Sequence, residues 1–473
     1  MLIGRRKEQE MLLSATREED SMFVAVYGRR RVGKTYLIRE TFGGHFTFYH
    51  TGLAKSPMKK QLAAWRLSLR EYGLGKTAIP ETWLDAFDML KNIIRQSNET
   101  KKVIFIDEMP WMDTQRSGFV PALENFWNGW AAARKDVVLI TCGSATSWVI
   151  NKILKDHGGL HNRVNTKIHL QPFTLFECEE YATHRKLGMN RRQLIECYMV
   201  MGGIPFYWSK LKRERSLAQN IDDLFFNPDG ELANEFDDLY ASLFKNAAPY
   251  IKIVNTLGAK HIGMTREELL QHCNLADNGK LSELLQDLEA CGFIRRYRAF
   301  GQKTKGSVYQ LIDSYTLFYY RFIRQNSQAD EHFWTSQTGS AIYYNWCGLA
   351  FERVCLLHIS QIRKSLGIIG TISTICSWRS SRSEDGLRGA QIDLLIDRND
   401  QVIDICEMKY TKEPYEVNEE EYLRLLNRRS RFVAEADTDK AVHLVLVSAS
   451  GVKRNSYSDE FQSVITSDDL FAE

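Results

Sequence analysis

The sequence predicts an α/β protein of several domains, with a three-layer sandwich at its start and a second α/β domain at its end. Three observations predict this. Apolar runs of strand length at 22–27, 102–107 and 137–142 each end in glycine or acidic residues, and helical patterns lie between them, as a parallel sheet covered on both faces requires. From Pro249 the pattern changes to three short helical stretches followed by two alternating strands. Beyond Asn326 a helical stretch and a strand pair with a tight turn mark a further domain. A chain of 473 residues is also too long for one ordinary core.

Composition narrows the class. The chain is 44% apolar and 26% charged, as soluble globular proteins are. It has no apolar run of about 18 residues, the length that spans a bilayer, so no membrane segment is expected. The segment Met1–Glu8 lacks the apolar stretch of a signal peptide. The nine cysteines are scattered without a CxxC pair, which predicts free buried thiols and a reducing, cytoplasmic compartment. With 62 basic and 59 acidic residues, any face for nucleic acid must be a local patch.

The first strand, 22–27, runs straight into Gly28-Arg29-Arg30-Arg31-Val32-Gly33-Lys34-Thr35-Tyr36 and then a helical pattern. A G-x-x-x-x-G-K-T loop between strand and helix is a phosphate-binding loop. Its glycines let backbone N–H groups face the phosphates, and the helix N-terminus adds its positive dipole end. Lys34 is expected on the β- and γ-phosphates and the Thr35 hydroxyl on Mg²⁺. The strand 102–107 ends in Asp107-Glu108, which assigns Asp107 to the magnesium and Glu108 to the attacking water as general base. Ser144, at the end of the strand 137–142, is expected beside the γ-phosphate, with Thr141 as the alternative. Arg163 is the candidate for offsetting transition-state charge, in cis or on a neighbouring subunit.

These residues resemble the archaeal-type P-loop ATPases of the AAA+/STAND division. The likeness rests on Ile3-Gly4-Arg5 with Glu8 and Leu12, the arginine-rich loop at 28–35, Cys142-Gly143-Ser144, the Arg163 segment, the stretch 170–177, and Gly202-Gly203-Ile204-Pro205. The resemblance implies a P-loop NTPase core at 1–170, with ATP and Mg²⁺ as cofactors. It also implies a helical lid at 171–248 whose angle to the core follows nucleotide state. From the residues alone, 202–205 reads as a helix stop and forced turn.

At 249–325, three helical stretches and a hairpin predict a winged helix-turn-helix. Its second helix opens with a Thr265–Glu268 capping box. The third helix carries mostly acids on its polar positions, whereas Arg295, Arg296, Arg298, Lys303 and Lys305 lie in the wing. Phosphate contact by the wing is therefore expected, with protein docking as the alternative.

At 326–473, strands 389–397 and 401–409 are joined by a tight turn. A three-residue loop at 399–401 pairs Arg398 with Val402 and sets Asp393 opposite Glu407. Lys409 shares Glu407's strand face. Two carboxylates and a lysine on one patch suit metal-assisted hydrolysis of a phosphodiester. This pattern resembles the PD-(D/E)XK nuclease superfamily, a restriction-endonuclease-like α/β fold. That likeness implies Asp393 and Glu407 as ligands of a second Mg²⁺ or Mn²⁺, Lys409 as the catalytic lysine and Glu352 as a supporting acid. Gln391 lies on the same strand face as Asp393, and Ile392 stands where the motif usually has proline. The expected function is an ATPase coupled to a nuclease-like domain acting on nucleic acid, most simply DNA, with a homo-oligomer or protein partner allowed for. The alternative is a regulatory ATPase whose C-terminal domain is inactive and docks a partner.

Overall fold

The computed structural model describes residues 2–144, 146–154, 159–160, 162–244, 246–260, 262–274, 279–301, 307–326, 330–380 and 390–473. The chain divides into two compact units, Met1–Pro172 and Phe173–Glu473. Among the described residues no helix is long and apolar enough to cross a membrane. All nine cysteines are free and buried.

The first unit is built on five parallel strands: β1 (Met22–Tyr27), β2 (Phe48–Thr51), β3 (Lys102–Asp107), β4 (Val137–Gly143) and β5 (Thr166–His169), in the order β2-β3-β4-β1-β5. Every pairing in the sheet is parallel, so the carboxyl ends of all five strands share one edge. Strand β4 is buried along its whole length, which explains its near-continuous apolar sequence. The helices Met58–Glu71 and Trp83–Gln96 pack Trp65, Trp83 and Phe87 against Phe48 and Phe119, with Trp65 and Trp83 edge-on at 5.5 Å. Thr82 and Asp85 close a capping box at the start of the second of these helices, satisfying two end donors reciprocally.

The second unit opens with the helices Leu175–His184 and Arg191–Met201. The turn after them is fixed by close approach. A Cβ on Gly203 would lie 1.9 Å from the Phe173 carbonyl oxygen. Phe173 N–H donates to the Gly203 carbonyl at 2.6 Å, and the Tyr198 hydroxyl donates to the Phe173 carbonyl at 2.9 Å. Helices Ala248–Ala259, Arg266–Cys273 and Gly279–Ala290 follow, interleaved with β6 (Met264–Thr265) and succeeded by β7 (Ile294–Ala299) and β8 (Val308–Leu311). The expected capping box is present, with Thr265 and Glu268 bonded reciprocally. An aromatic core forms around 314–323, where Phe318 and Phe322 meet Trp334 and Trp346 edge-on.

The remaining strands are β9 (Ser373–Arg379), β10 (Gln391–Arg398), β11 (Val402–Lys409), β12 (Ala441–Ser448) and β13 (Ser463–Thr466). They join the preceding hairpin in one eight-stranded sheet, β13-β12-β11-β10-β9-β7-β8-β6. The join is short and parallel, Arg298 against Cys376 and Ala299 against Ser377. The boundary expected at 325/326 is therefore crossed by a continuous sheet. The sequence does not show this join, because the pairing spans more than seventy residues and leaves no local trace.

Candidate functional site

At the carboxyl edge of the first sheet, strand β1 hands the chain to the phosphate-binding loop. Gly28 (φ 146°), Arg31 (φ 74°) and Gly33 (φ 89°) all take positive φ, turning successive N–H groups to one side as an anion-binding nest does. Only glycine fits at position 28, because a Cβ would lie 2.3 Å from the Leu170 carbonyl oxygen. The helix Lys34–Thr41 starts directly after Gly33. Lys34 Nζ donates to the carbonyls of Gly28 and Arg29, each at 2.8 Å, so the buried ammonium is held inside the loop. Arg29 and Val32 are buried, Arg31 is half-buried, and Arg30 and Tyr36 are exposed. Arg5, buried and with φ 59°, donates to the Gln171 carbonyl at 2.6 Å.

The acids arrive from the neighbouring strands. The Thr35 hydroxyl donates to Asp107 Oδ2 at 2.7 Å, and Asp107 is 3% exposed. Glu108 takes a left-handed conformation, φ 49°, with its N–H on Asp107 Oδ1 at 2.9 Å. Ser144, just past β4, places its hydroxyl 2.8 Å from both carboxylate oxygens of Glu108. A phosphate nest, a buried lysine and a hydroxyl–carboxylate pair at one strand edge fit the magnesium complex of a nucleoside triphosphate. Thr35 and Asp107 would hold the ion.

Two of the expected residues lie away from the nucleotide edge. Thr141, the alternative to Ser144, is fully buried and donates to the Val24 carbonyl at 3.2 Å, so it belongs to the sheet. Arg163 lies at the wrong end for its own nucleotide. Asn165, two residues on, is bonded to Phe23 in both directions, at the amino end of β1. Gly28 is five residues further, about 16 Å at strand rise. Arg163 is exposed there, away from the nucleotide edge of its own unit.

In the second unit the hairpin β10–β11 pairs Asp397 with Ile403 through to Leu394 with Cys406. One further step of that register sets Asp393 opposite Glu407. A register shift in the β9–β10 ladder falls between Ile392 and Leu395, the segment that carries Asp393. Gln391 Nε2 donates to Asp393 Oδ1 at 2.5 Å. Glu352, on the helix Ala341–Leu357, lies in the same electrostatic neighbourhood. Burial pushes its carboxyl up to about 7, with Asp393 and then Glu407 adding to the effect and Arg353 and Lys409 opposing it.

Cations hold Glu407 tightly. Arg428 Nη1 is 2.5 Å from its Oε2, and Lys409 Nζ is 3.0 Å from its Oε1. Among the described residues no group of three or more His, Cys, Asp or Glu side chains is arranged to hold a metal. The expected metal pair, Asp393 and Glu407, falls opposite across the hairpin register, and the Glu407 carboxylate is engaged by Lys409 and by Arg424 and Arg428 of the helix Glu419–Ala436. Sequence reasoning missed these arginines, although their four-residue spacing beside the buried Leu425 and Phe432 was a readable signal.

Arg295, expected as a phosphate contact, instead turns inward. Its Nε donates to Gln310 Oε1 at 2.7 Å and its guanidinium lies 4.4 Å from the Tyr297 ring centroid. Burial lowers its pKa to about 10. Arg296 and Arg298 are exposed, and Lys303 and Lys305 lie outside the described residues.

Comparison with known proteins agrees with the geometry of the first unit. Residues 2–211 match the model of an ATPase domain found predominantly in Archaea. An uncharacterised protein of Methanocaldococcus jannaschii is 24% identical over 454 residues, covering 94% of this chain and 95% of its own. Among solved structures, a Walker-type ATPase of Pyrococcus abyssi aligns with a TM-score of 0.47 at 13% identity, over 68% of this chain and 96% of its own. The ORC2 protein of Aeropyrum pernix, in its ADPNP–ADP complexes, aligns at 0.42 and 14%, over 70% and 96%. The matched stretch, residues 2–211, includes every residue of the nucleotide edge, Arg5 and Gly202–Pro205.

Proposed function

We propose that this protein is an ATP-hydrolysing switch whose output is a nuclease-like site in its second unit. The observation that carries the ATPase is the Thr35–Asp107 contact with Glu108 beside it, at the strand edge where Lys34 lies in the phosphate nest. Magnesium, when bound, supplies charge neutralisation between the β- and γ-phosphates. The chain's own residues do the rest. The nest and Lys34 position the phosphates, and Glu108 orients the attacking water and takes its proton. Ser144 aligns the Glu108 carboxylate and sits where it can sense the γ-phosphate. Lys34→Ala is expected to abolish nucleotide binding, and Glu108→Gln to bind ATP without turning it over. Wild-type affinity in Lys34→Ala would overturn the assignment.

For the output, we read residues 248–311 as a winged helix and the sheet beyond it as restriction-endonuclease-like. The electrostatic convergence of Glu352, Asp393, Glu407 and Lys409 supports this. The substrate class is nucleic acid, with DNA the first choice. Purified protein given DNA or RNA with Mg²⁺ or Mn²⁺ is expected to cut it, and Asp393→Ala and Lys409→Ala to stop the cut. Cleavage unchanged in both variants would exclude this site. A second reading is favoured by the cations on Glu407: a regulatory ATPase whose second unit binds a partner without cutting it. It predicts ATP turnover with no metal-dependent cleavage.

A further inference from the structure

The helix Glu419–Ala436 is anchored by Asn418, whose side chain accepts from Glu421 N–H at 2.9 Å, and by the buried Leu425 and Phe432. Residues four apart share a helix face, so Arg424 and Arg428 lie on one row. Both reach Glu407, Arg428 at 2.5 Å and Arg424 at 3.5 Å. Arg424 also meets Glu421 at 2.5 Å, and Lys409 meets Glu421 at 2.7 Å. Three cations (Arg424, Arg428, Lys409) therefore surround two carboxylates (Glu407, Glu421), with all three on Glu407 and two of them also on Glu421. The Arg424 side chain is 50% exposed, whereas that of Glu407 is 13% exposed. The exposed end of the cluster is thus a guanidinium, a group whose fork fits phosphate oxygens.

We propose that Arg424 and Arg428 form a phosphate-binding arm that also latches Glu407. A phosphodiester backbone entering the site takes over the two guanidiniums, and Glu407 is released from both arginines, keeping only Lys409. Phosphate and Glu407 compete for the same donors, so the carboxylate opposes binding until it is displaced. This rests on the reading of the second unit as a nucleic-acid site and adds the residues that seize the backbone. It also accounts for acids that converge without forming a metal cage: their key member is held shut.

The test is binding of a short fluorescein-labelled oligonucleotide to the full chain in EDTA, so that no cleavage intervenes. DNA and RNA of the same sequence form separate arms. Arg424→Gln with Arg428→Gln is expected to weaken binding about tenfold at fixed salt and to reduce the salt slope by about two. Arg428→Lys, which keeps the charge, is expected to restore much of the loss. Glu407→Gln is expected to tighten binding, a gain that a merely structural glutamate would not give. Far-UV circular dichroism and thermal unfolding matching the wild-type chain report that each variant is folded. Unchanged affinity and slope in the double glutamine variant, weaker binding in Glu407→Gln, or no binding by wild type would each overturn the proposal. Failure of the nuclease reading appears separately, as intact oligonucleotide in magnesium despite binding in EDTA.

Discussion

Single residues carry two kinds of information here, and the sequence exposed one of them. Lys34, Thr35, Asp107 and Glu108 could be read from motif and strand pattern because their chemistry is local to a loop or a strand end. The state of a buried group depends on what packs around it, and His358 shows this. Its Nε2 accepts from Leu175 N–H at 3.0 Å, and its Nδ1 faces the Val354 carbonyl at 2.8 Å. Only the neutral tautomer with the proton on Nδ1 serves both. Burial accordingly holds the ring down at about 4, against 6.5 for a free histidine. A lowered folded pKa means that the unfolded chain binds the extra proton first. The histidine's contribution is therefore complete above pH 6.5 and is lost as pH falls from 6.5 toward 4. In urea titrations of the second unit, the wild-type slope over that window should exceed that of His358→Gln. The expected excess is one proton's worth, about 1.4 kcal/mol per pH unit. Equal slopes would mean that His358 titrates normally.

At the scale of elements, what is encoded by neighbours in sequence was legible and what is encoded across the sheet was not. The Thr265–Glu268 capping box and the β10–β11 register follow from three- and four-residue rules, and both are present. The register shift around Asp393 and the two-residue join of β7 to β9 depend on partners far along the chain. The end of the sheet at which Arg163 lies is hidden in the same way, since it follows from which end of β5 meets β1. The Gly202–Pro205 turn gives a prediction at this scale. Gly203 lies against the Phe173 backbone, whereas a Cβ on Gly202 would find its nearest neighbour, Ser314, at 3.7 Å. Gly202 has φ 60° and ψ −166°, so alanine there meets backbone strain of roughly 1–3 kcal/mol. Alanine at 203 must also separate two chain segments joined by the Phe173–Gly203 hydrogen bond, costing about 3 kcal/mol or more. Thermal denaturation should therefore rank Gly203→Ala below Gly202→Ala, and the reverse order would show that conformation outweighs close approach in this turn.

For the whole molecule, the sequence announced a nucleotide site and a second acidic site but could not say whether one controls the other. Each unit has its own core, one around Trp65, Trp83 and Phe126, the other including Trp378, Leu425 and Phe432. Having two sites is not yet coupling. Coupling is a free energy, and it must be reciprocal: if ATP changes the affinity for nucleic acid by some factor, nucleic acid changes the affinity for ATP by the same factor. The proposed switch therefore makes a quantitative demand. Glu108→Gln is the variant in which to test it, because bound ATP should persist there without turnover. Oligonucleotide affinity is measured with and without saturating ATP, and ATP affinity with and without saturating oligonucleotide, all in EDTA-free buffer with magnesium and the Asp393→Ala change added to prevent cutting. The switch predicts two ratios that agree, each about five-fold or more. Lys34→Ala added to the same chain should abolish the effect of ATP while leaving oligonucleotide binding in its absence intact. Two ratios of one would leave an ATPase and a nucleic-acid site that share a chain without communicating, and the coupled reading would be wrong even if both activities were real.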